Sequence, residues 1–129
     1  MRSSLHVFVV EDHEDVQKML TMLLETWGHR VSVATTVEEA LREIPSSKLD
    51  VLISDIGLPD GTGWDLLRQL NLPAHVCPIA FTAYAGPDDV NRSKAVGFRH
   101  HLAKVVDLGA LQGILEELTT SSSRSPPEA

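Results

Sequence analysis

Apolar positions along the chain switch between the period of a strand and the period of a helix, regularly enough to predict each element. Leu5 to Val10 is a β-rich apolar run interrupted only by His6, and it reads as a first strand ending in Glu11-Asp12. Val16, Met19, Leu20, Leu23, Leu24 and Trp27 recur at helical spacing, so a helix is expected over about 14–27, stopped by Gly28. Val31 and Val33 alternate in a second strand, about 30–34. Thr36-Val37-Glu38-Glu39 has the form of a capping box and opens a helix with Val37, Ala40, Leu41 and Ile44 on one face, closed by Pro45. Val51, Leu52 and Ile53 begin a short third strand over 51–54, after which Asp55 and a Gly/Pro turn cluster follow at once. Trp64, Leu66, Leu67 and Leu70 mark a third helix, entered through an Asp60-Gly61-Thr62-Gly63 loop. Val76 to Phe81 is a fourth strand with Pro78 near its start, leading into Thr82-Ala83-Tyr84-Ala85. Pro87 suits a helix start. The helix after it carries only Val90, Ala95 and Val96 before Gly97, and this thin stripe predicts the least firmly packed helix. Phe98 to Ala103 is a fifth strand ending at Lys104. Asp107 is the expected N-cap of a fifth helix that buries Leu108, Leu111, Ile114, Leu115 and Leu118.

Five strand–helix pairs in strict alternation predict an α/β fold with a five-stranded parallel sheet and helices on both faces. Right-handed crossovers make it doubly wound. The carboxyl ends of all five strands then share one edge, where ligands of open α/β sheets bind. Collected there are Glu11 and Asp12 from strand one, Asp55 from strand three, Thr82 from strand four and Lys104 from strand five. Asp55 by itself would equally suit a strand terminator or a helix cap; its company is what points to chemistry. Three carboxylates packed together repel unless a cation or protons neutralise them. An oxygen-only ligand set suits a hard cation, and Mg²⁺ is the usual one where few carboxylates share the ion with waters and a phosphoryl group. A carboxylate can attack phosphorus and form an acyl phosphate, with a metal offsetting the charge of both groups. A lysine can pair with a phosphoryl oxygen, and a threonine hydroxyl can donate to another. Together these groups would place a phosphoryl group on Asp55.

Composition narrows the class. A chain of 129 residues, 43% hydrophobic and 22% charged, suits one globular domain. A net charge of -7 argues against direct nucleic-acid binding. Cys77 is the single cysteine, so no internal disulfide forms. The apolar runs are far too short to span a bilayer, and a cytoplasmic location is expected. The domain is expected over residues 1–119, with 120–129, rich in Ser and Pro, as a disordered tail.

Val-Val-Glu11-Asp12, Ser-Asp55-Ile-Gly-Leu-Pro59-Asp-Gly-Thr-Gly63, Phe-Thr82-Ala83-Tyr and Leu-Ala-Lys104 together resemble the receiver domain of two-component response regulators, over about residues 5–118. The resemblance implies a flavodoxin-like fold with strand order 2-1-3-4-5. It implies Mg²⁺-dependent phosphotransfer from a histidine kinase or histidine phosphotransfer protein to Asp55. Asp12 and Asp55 would then bind Mg²⁺ directly, Glu11 mostly through water, and the Gly57 carbonyl would add a ligand. Thr82 and Lys104 would hold phosphoryl oxygens, and the small Ala83 would leave room for them. Gly57 and Tyr84 would flank the pocket and tune the lifetime of the acyl phosphate. The helix 4–strand 5–helix 5 face would carry the signal, and a homodimer through it stays open. The only catalysis implied is the domain's own phosphorylation and dephosphorylation, in a stand-alone regulator or a receiver of a hybrid histidine kinase.

Two positions depart from the family pattern. Lys104-Val105 stands where Lys-Pro, commonly cis, is usual; before Val a trans peptide is the default. His101 stands at the switch aromatic. An exposed polar residue with no switching role is the first reading there, against an imidazole that swings inward or senses pH. These departures keep alive an alternative, a pseudo-receiver that docks partners without phosphorylation. A haloacid-dehalogenase-like phosphatase would need a second Asp where Gly57 stands, and a flavin-binding flavodoxin would need phosphate donors where Glu11-Asp12 stands. His13 reads as a surface residue at a helix start, ahead of a pocket-lining one, and Trp27 and Trp64 read as packing. His100 and His101, adjacent on a strand, face opposite sides and make no two-histidine metal site.

Overall fold

Strand β1 (His6–Val10) is buried along its whole length, because it is an interior strand of the sheet with helices over both faces. The structure, a computed structural model, describes residues 4–104 and 106–123. After β1 come α1 (Glu14–Thr26), β2 (Arg30–Ala34), α2 (Val37–Glu43), β3 (Val51–Ser54), α3 (Gly63–Gln69), β4 (Cys77–Thr82), α4 (Pro87–Val96), β5 (His100–Ala103) and α5 (Leu108–Ser123). The five strands are all parallel, in the order β2-β1-β3-β4-β5, as the alternation of elements predicts.

The period of two in β1 divides the core. Val7 and Val9 face α1 and α5 with Leu20, Leu24, Ile53, Ile79, Leu111 and Leu115. Phe8 and Val10 face the other way, with Ala40, Ile44, Leu52, Leu66 and Leu67 under α2 and α3. Pro78 is the second residue of β4, opposite Leu52, and its carbonyl accepts from the Arg99 N–H. In α4 only Ser93 is buried, in keeping with its thin apolar stripe. Gly28 (φ +96°) follows α1 and Gly97 (φ +117°) ends α4, both in the left-handed region that glycine enters without a Cβ clash.

Several local expectations need correction. Thr36 does cap α2 by accepting from the Glu39 N–H, but the Glu39 carboxylate returns to the Thr35 N–H and hydroxyl, so the box is not reciprocal. Asp60 instead accepts from the Val37 and Glu38 N–H groups, a cap brought from 22 and 23 residues away. The α2 helix does end at Glu43, ahead of Pro45, but the chain runs on as a 3-10 turn over Ile44–Ser46, where a proline early in the turn costs no internal bond. The stretch after Asp55 is no simple loop, since Gly57–Leu58 and Gly61–Thr62 pair as a small antiparallel hairpin. Asp107 turns its carboxylate back to the Ala103 N–H. Helix α5 passes residue 119 and runs to Ser123, because extending a formed helix fixes one residue per added bond and serine opposes that only weakly. Residues 124–129 of the expected tail lie outside the described residues.

One buried group makes stability pH-dependent. His29 is buried and its Nδ1 accepts the Leu5 N–H at 3.1 Å, which requires the neutral ring. Burial pushes its pKa below the usual 6.5. The unfolded chain therefore binds the proton more readily, and the stability held by the neutral ring is complete above about 6.5 and lost as pH falls below it. Urea unfolding of wild type and His29→Gln at pH 7.5 and 5.5 is expected to show a smaller wild-type advantage at the lower pH.

Candidate functional site

The strand order reverses direction at β1 and β3, and the crevice beyond their carboxyl ends is the switch point of the sheet. Backbone ladders continue one residue past β1, β3 and β5 and so fix the side chains that follow. The Glu11 N–H donates to the Ala34 carbonyl, the Asp55 N–H to Val10, and the Lys104 N–H to Thr82. Glu11, Asp55 and Thr82 are nearly inaccessible, at 1%, 5% and 1% exposure.

Lys104 joins the two buried acids. Its Nζ lies 2.7 Å from Asp55 Oδ2 and 3.0 Å from Glu11 Oε1. Burial works against the ammonium, but the hydrogen bonds to Asp55 and Glu11 outweigh it and raise the lysine above its usual pKa. Asp55 Oδ1 accepts from the Ile56 N–H at 2.7 Å. Glu11 Oε2 accepts from the backbone N–H of His13 at 3.0 Å and from its Nδ1 at 2.8 Å. That hydrogen bond, with Asp12 nearby, raises the pKa of His13. Asp12 is the odd member. Its Oδ1 is buried yet accepts no hydrogen bond, although His13 Nδ1 is 3.5 Å away.

Whether these residues fit a cation can be judged from this donor set. One ligand atom from each of Glu11, Asp12, His13 and Asp55 lies within 4.8 Å of all the others. Three carboxylates face one ammonium, and an oxygen of Asp12 is desolvated without a partner, so a cation would meet an unmet demand. The donor set fits a divalent ion.

Thr82 ends β4 beside this cluster, and its hydroxyl oxygen accepts the Tyr84 N–H at 3.1 Å. The Tyr84 ring lies over Gly57, so that a Cβ there would come within 3.0 Å of the ring and of its hydroxyl. Gly57 and Tyr84 are therefore in contact. The Lys104–Val105 peptide, the departure after β5, lies outside the described residues.

His101 is not the exposed polar residue first read. It is partly buried, and both ring nitrogens are engaged. Nε2 is 2.7 Å from the Tyr84 carbonyl and Nδ1 is 2.8 Å from Ser93 Oγ. A carbonyl only accepts, so Nε2 carries the hydrogen and Nδ1 of the neutral ring accepts from the Ser93 hydroxyl. Ser93 in turn accepts from Trp64 Nε1 at 2.8 Å, and the Arg92 guanidinium sits 4.3 Å above that indole. The chain Trp64–Ser93–His101–Tyr84 ties α3, α4 and β5 to the loop after β4. Ser93 carried no signal in the sequence, and Trp64 looked like packing alone. Ser93→Ala strands a buried indole N–H, so unfolding in urea is expected to show a loss of about 1–3 kcal/mol.

The protein-family model for the response regulator receiver domain matches residues 7–116. The chain is 32% identical to the KDP operon transcriptional regulatory protein KdpE of Escherichia coli, over 95% of this chain and 55% of KdpE. It is 31% identical to the virulence sensor protein BvgS of Bordetella pertussis, over 96% of this chain and 11% of BvgS. The chain thus spans about half of one of these relatives and about a tenth of the other. Among solved structures, the response regulator TrrA of Thermotoga maritima, in complex with Mg²⁺ and BeF, superposes with a TM-score of 0.77 at 23% identity, covering 88% of this chain and 98% of that one.

Proposed function

The chain belongs to the response regulator receiver domain family, and on that premise we propose that it is a phosphoacceptor whose acceptor is Asp55. A carboxylate oxygen of Asp55 attacks the phosphorus of a phosphohistidine, the P–N bond breaks, and the imidazole leaves with the bonding pair. The donor is a histidine kinase or a histidine phosphotransfer protein. The observation that carries this reading is the shared ammonium. Lys104 already bridges Asp55 and Glu11, so it needs to move only from a carboxylate oxygen to a phosphoryl oxygen.

Asp12 and Asp55, with the Gly57 carbonyl and with Glu11 acting through water, are the groups that would hold Mg²⁺, whose bound charge would offset that of the incoming phosphoryl group. The unpartnered Asp12 Oδ1 supports this assignment. Thr82 would give up its present contact and turn its hydroxyl to a phosphoryl oxygen. Tyr84, lying over Gly57, would limit water access and so set the acyl-phosphate lifetime. The Tyr84 carbonyl bonds His101, so a shift of the loop after Thr82 would reach Ser93 in α4, and through it Trp64 in α3, and so bear on the α4–β5–α5 face offered to partners or to a second copy. Among the described residues no helix is long and apolar enough to cross a membrane.

Intact mass after incubation with acetyl phosphate tests the reading. Gain of one phosphoryl group with Mg²⁺, and none with EDTA, is the expected result. No gain together with no Mg²⁺ binding would leave a docking module that works without phosphorylation.

A further inference from the structure

Beside Glu11, Asp12, Asp55, Thr82 and Lys104, the sheet edge holds a sixth side chain, His13, which has no task in phosphoryl transfer. It occupies the N-cap position of α1, yet its side chain makes no capping bond. The imidazole turns to the acids instead, with Nδ1 2.8 Å from Glu11 Oε2 and 3.5 Å from Asp12 Oδ1. Two atoms each about 2.1 Å from one ion and at right angles to it are about 3 Å apart. The 3.5 Å between His13 Nδ1 and Asp12 Oδ1 is thus close to that of neighbouring ligands round a single cation, while the 2.8 Å to Glu11 is a hydrogen bond that keeps the ring turned toward the site. The four candidate atoms, from Glu11, Asp12, His13 and Asp55, lie within 4.8 Å of one another, so a small contraction lets Asp12, His13 and Asp55 meet one ion with Glu11 reached through a bound water. The His13 side chain is 64% exposed, which leaves it free to turn and leaves the ion a way in. Hydrogen bonding within the cluster does not settle the acids, because the imidazole N–H serves Glu11 and Asp12 Oδ1 stays without a donor.

Resting on the reading of this edge as a cation site, we propose that His13 supplies a nitrogen ligand to it. The site is then a mixed imidazole–carboxylate one. It favours first-row transition-metal ions over Mg²⁺ more strongly than its oxygen ligands alone would. Carboxylates suit Mg²⁺ and Mn²⁺, whereas imidazole suits Ni²⁺ and Zn²⁺. The inference concerns which divalent ion the domain carries, and it is separate from whether Asp55 accepts phosphate.

The test uses the untagged full chain, with His13→Gln, Asp12→Asn and, as a control for another exposed histidine, His75→Gln. Calorimetric titration with Ni²⁺ and with Mg²⁺ is expected to show Ni²⁺ affinity falling at least about tenfold in His13→Gln while Mg²⁺ affinity changes by less than about threefold. Pulsed EPR of bound Mn²⁺, displaceable by Mg²⁺, is expected to show coupling to an imidazole ¹⁴N. That coupling should vanish in His13→Gln and persist in His75→Gln. Ion binding that needs Asp12 but shows no nitrogen coupling, with an unchanged Ni²⁺ to Mg²⁺ ratio in His13→Gln, would overturn the inference and leave the cation site intact. Failure of the wild-type chain to bind any of the three ions would overturn the site reading and this inference with it.

Discussion

Asp55→Asn is expected to incorporate no phosphoryl group from acetyl phosphate under conditions where the wild-type chain gains one. The amide offers neither the charge nor the nucleophilic oxygen that the step needs. The variant should stay folded, since it removes one of three mutually repelling carboxylates and Lys104 keeps its 3.0 Å bond to Glu11. Loss of a direct ligand should also weaken Mg²⁺ binding by at least about tenfold, readable by calorimetry. Melting temperature measured alongside separates lost chemistry from lost fold. Phosphorylation of Asp55→Asn at the wild-type level would move the acceptor to another carboxylate, Asp12 before Glu11, because both oxygens of Glu11 are already committed.

Gly63→Ala is expected to be the most damaging small substitution near the site. Gly63 opens α3, and its N–H donates to the Ile56 carbonyl at 2.8 Å. This draws its Cα against the backbone beneath the acceptor. An added Cβ would run into the Asp55 carbonyl oxygen and come within 3.1 Å of Ser54 Oγ, which itself donates to that carbonyl. The obstacle is backbone, so no rotamer relieves it. Overpacking of this kind costs about 2–3 kcal/mol, and the expected result is a matching fall in urea unfolding free energy with a melting temperature lower by roughly 10 °C. A change under about 0.5 kcal/mol would show that α3 can slide away from β3. Gly57 makes a useful contrast. Its Cβ would meet only the half-exposed Tyr84 ring, which can swing outward.

Most of the architecture was legible because its causes are local. The β-branched runs 7–10 and 51–54, the helical stripe from Val16 to Leu24, and the stops at Gly28 and Gly97 each carry their instruction within one element. Alternation then orders the elements into a parallel sheet, and a parallel sheet brings every strand's carboxyl end to one edge. Glu11, Asp12, Asp55, Thr82 and Lys104 could be listed together on that ground, before any distance between them was known. What escaped the sequence was pairing between distant residues. The Asp60 cap on α2 joins positions more than 20 residues apart. The 57–62 hairpin is too short to show a period of two. Ser93 is a polar residue in a weakly apolar helix, and nothing local marks it as buried against Trp64 and His101.

Chain periodicity and the order of strands and helices therefore determined the fold, the edge that carries the chemistry and the residue types found there. Tertiary structure alone decided which charges meet: that Lys104 is shared by Asp55 and Glu11, that His13 turns to the acids instead of capping α1, and that Asp12 keeps an unpartnered oxygen. The physical reason is range. Hydrophobic burial acts on patterns that repeat within an element, whereas hydrogen bonds and ion pairs act over about 3 Å and depend on where each side chain arrives once the elements have packed.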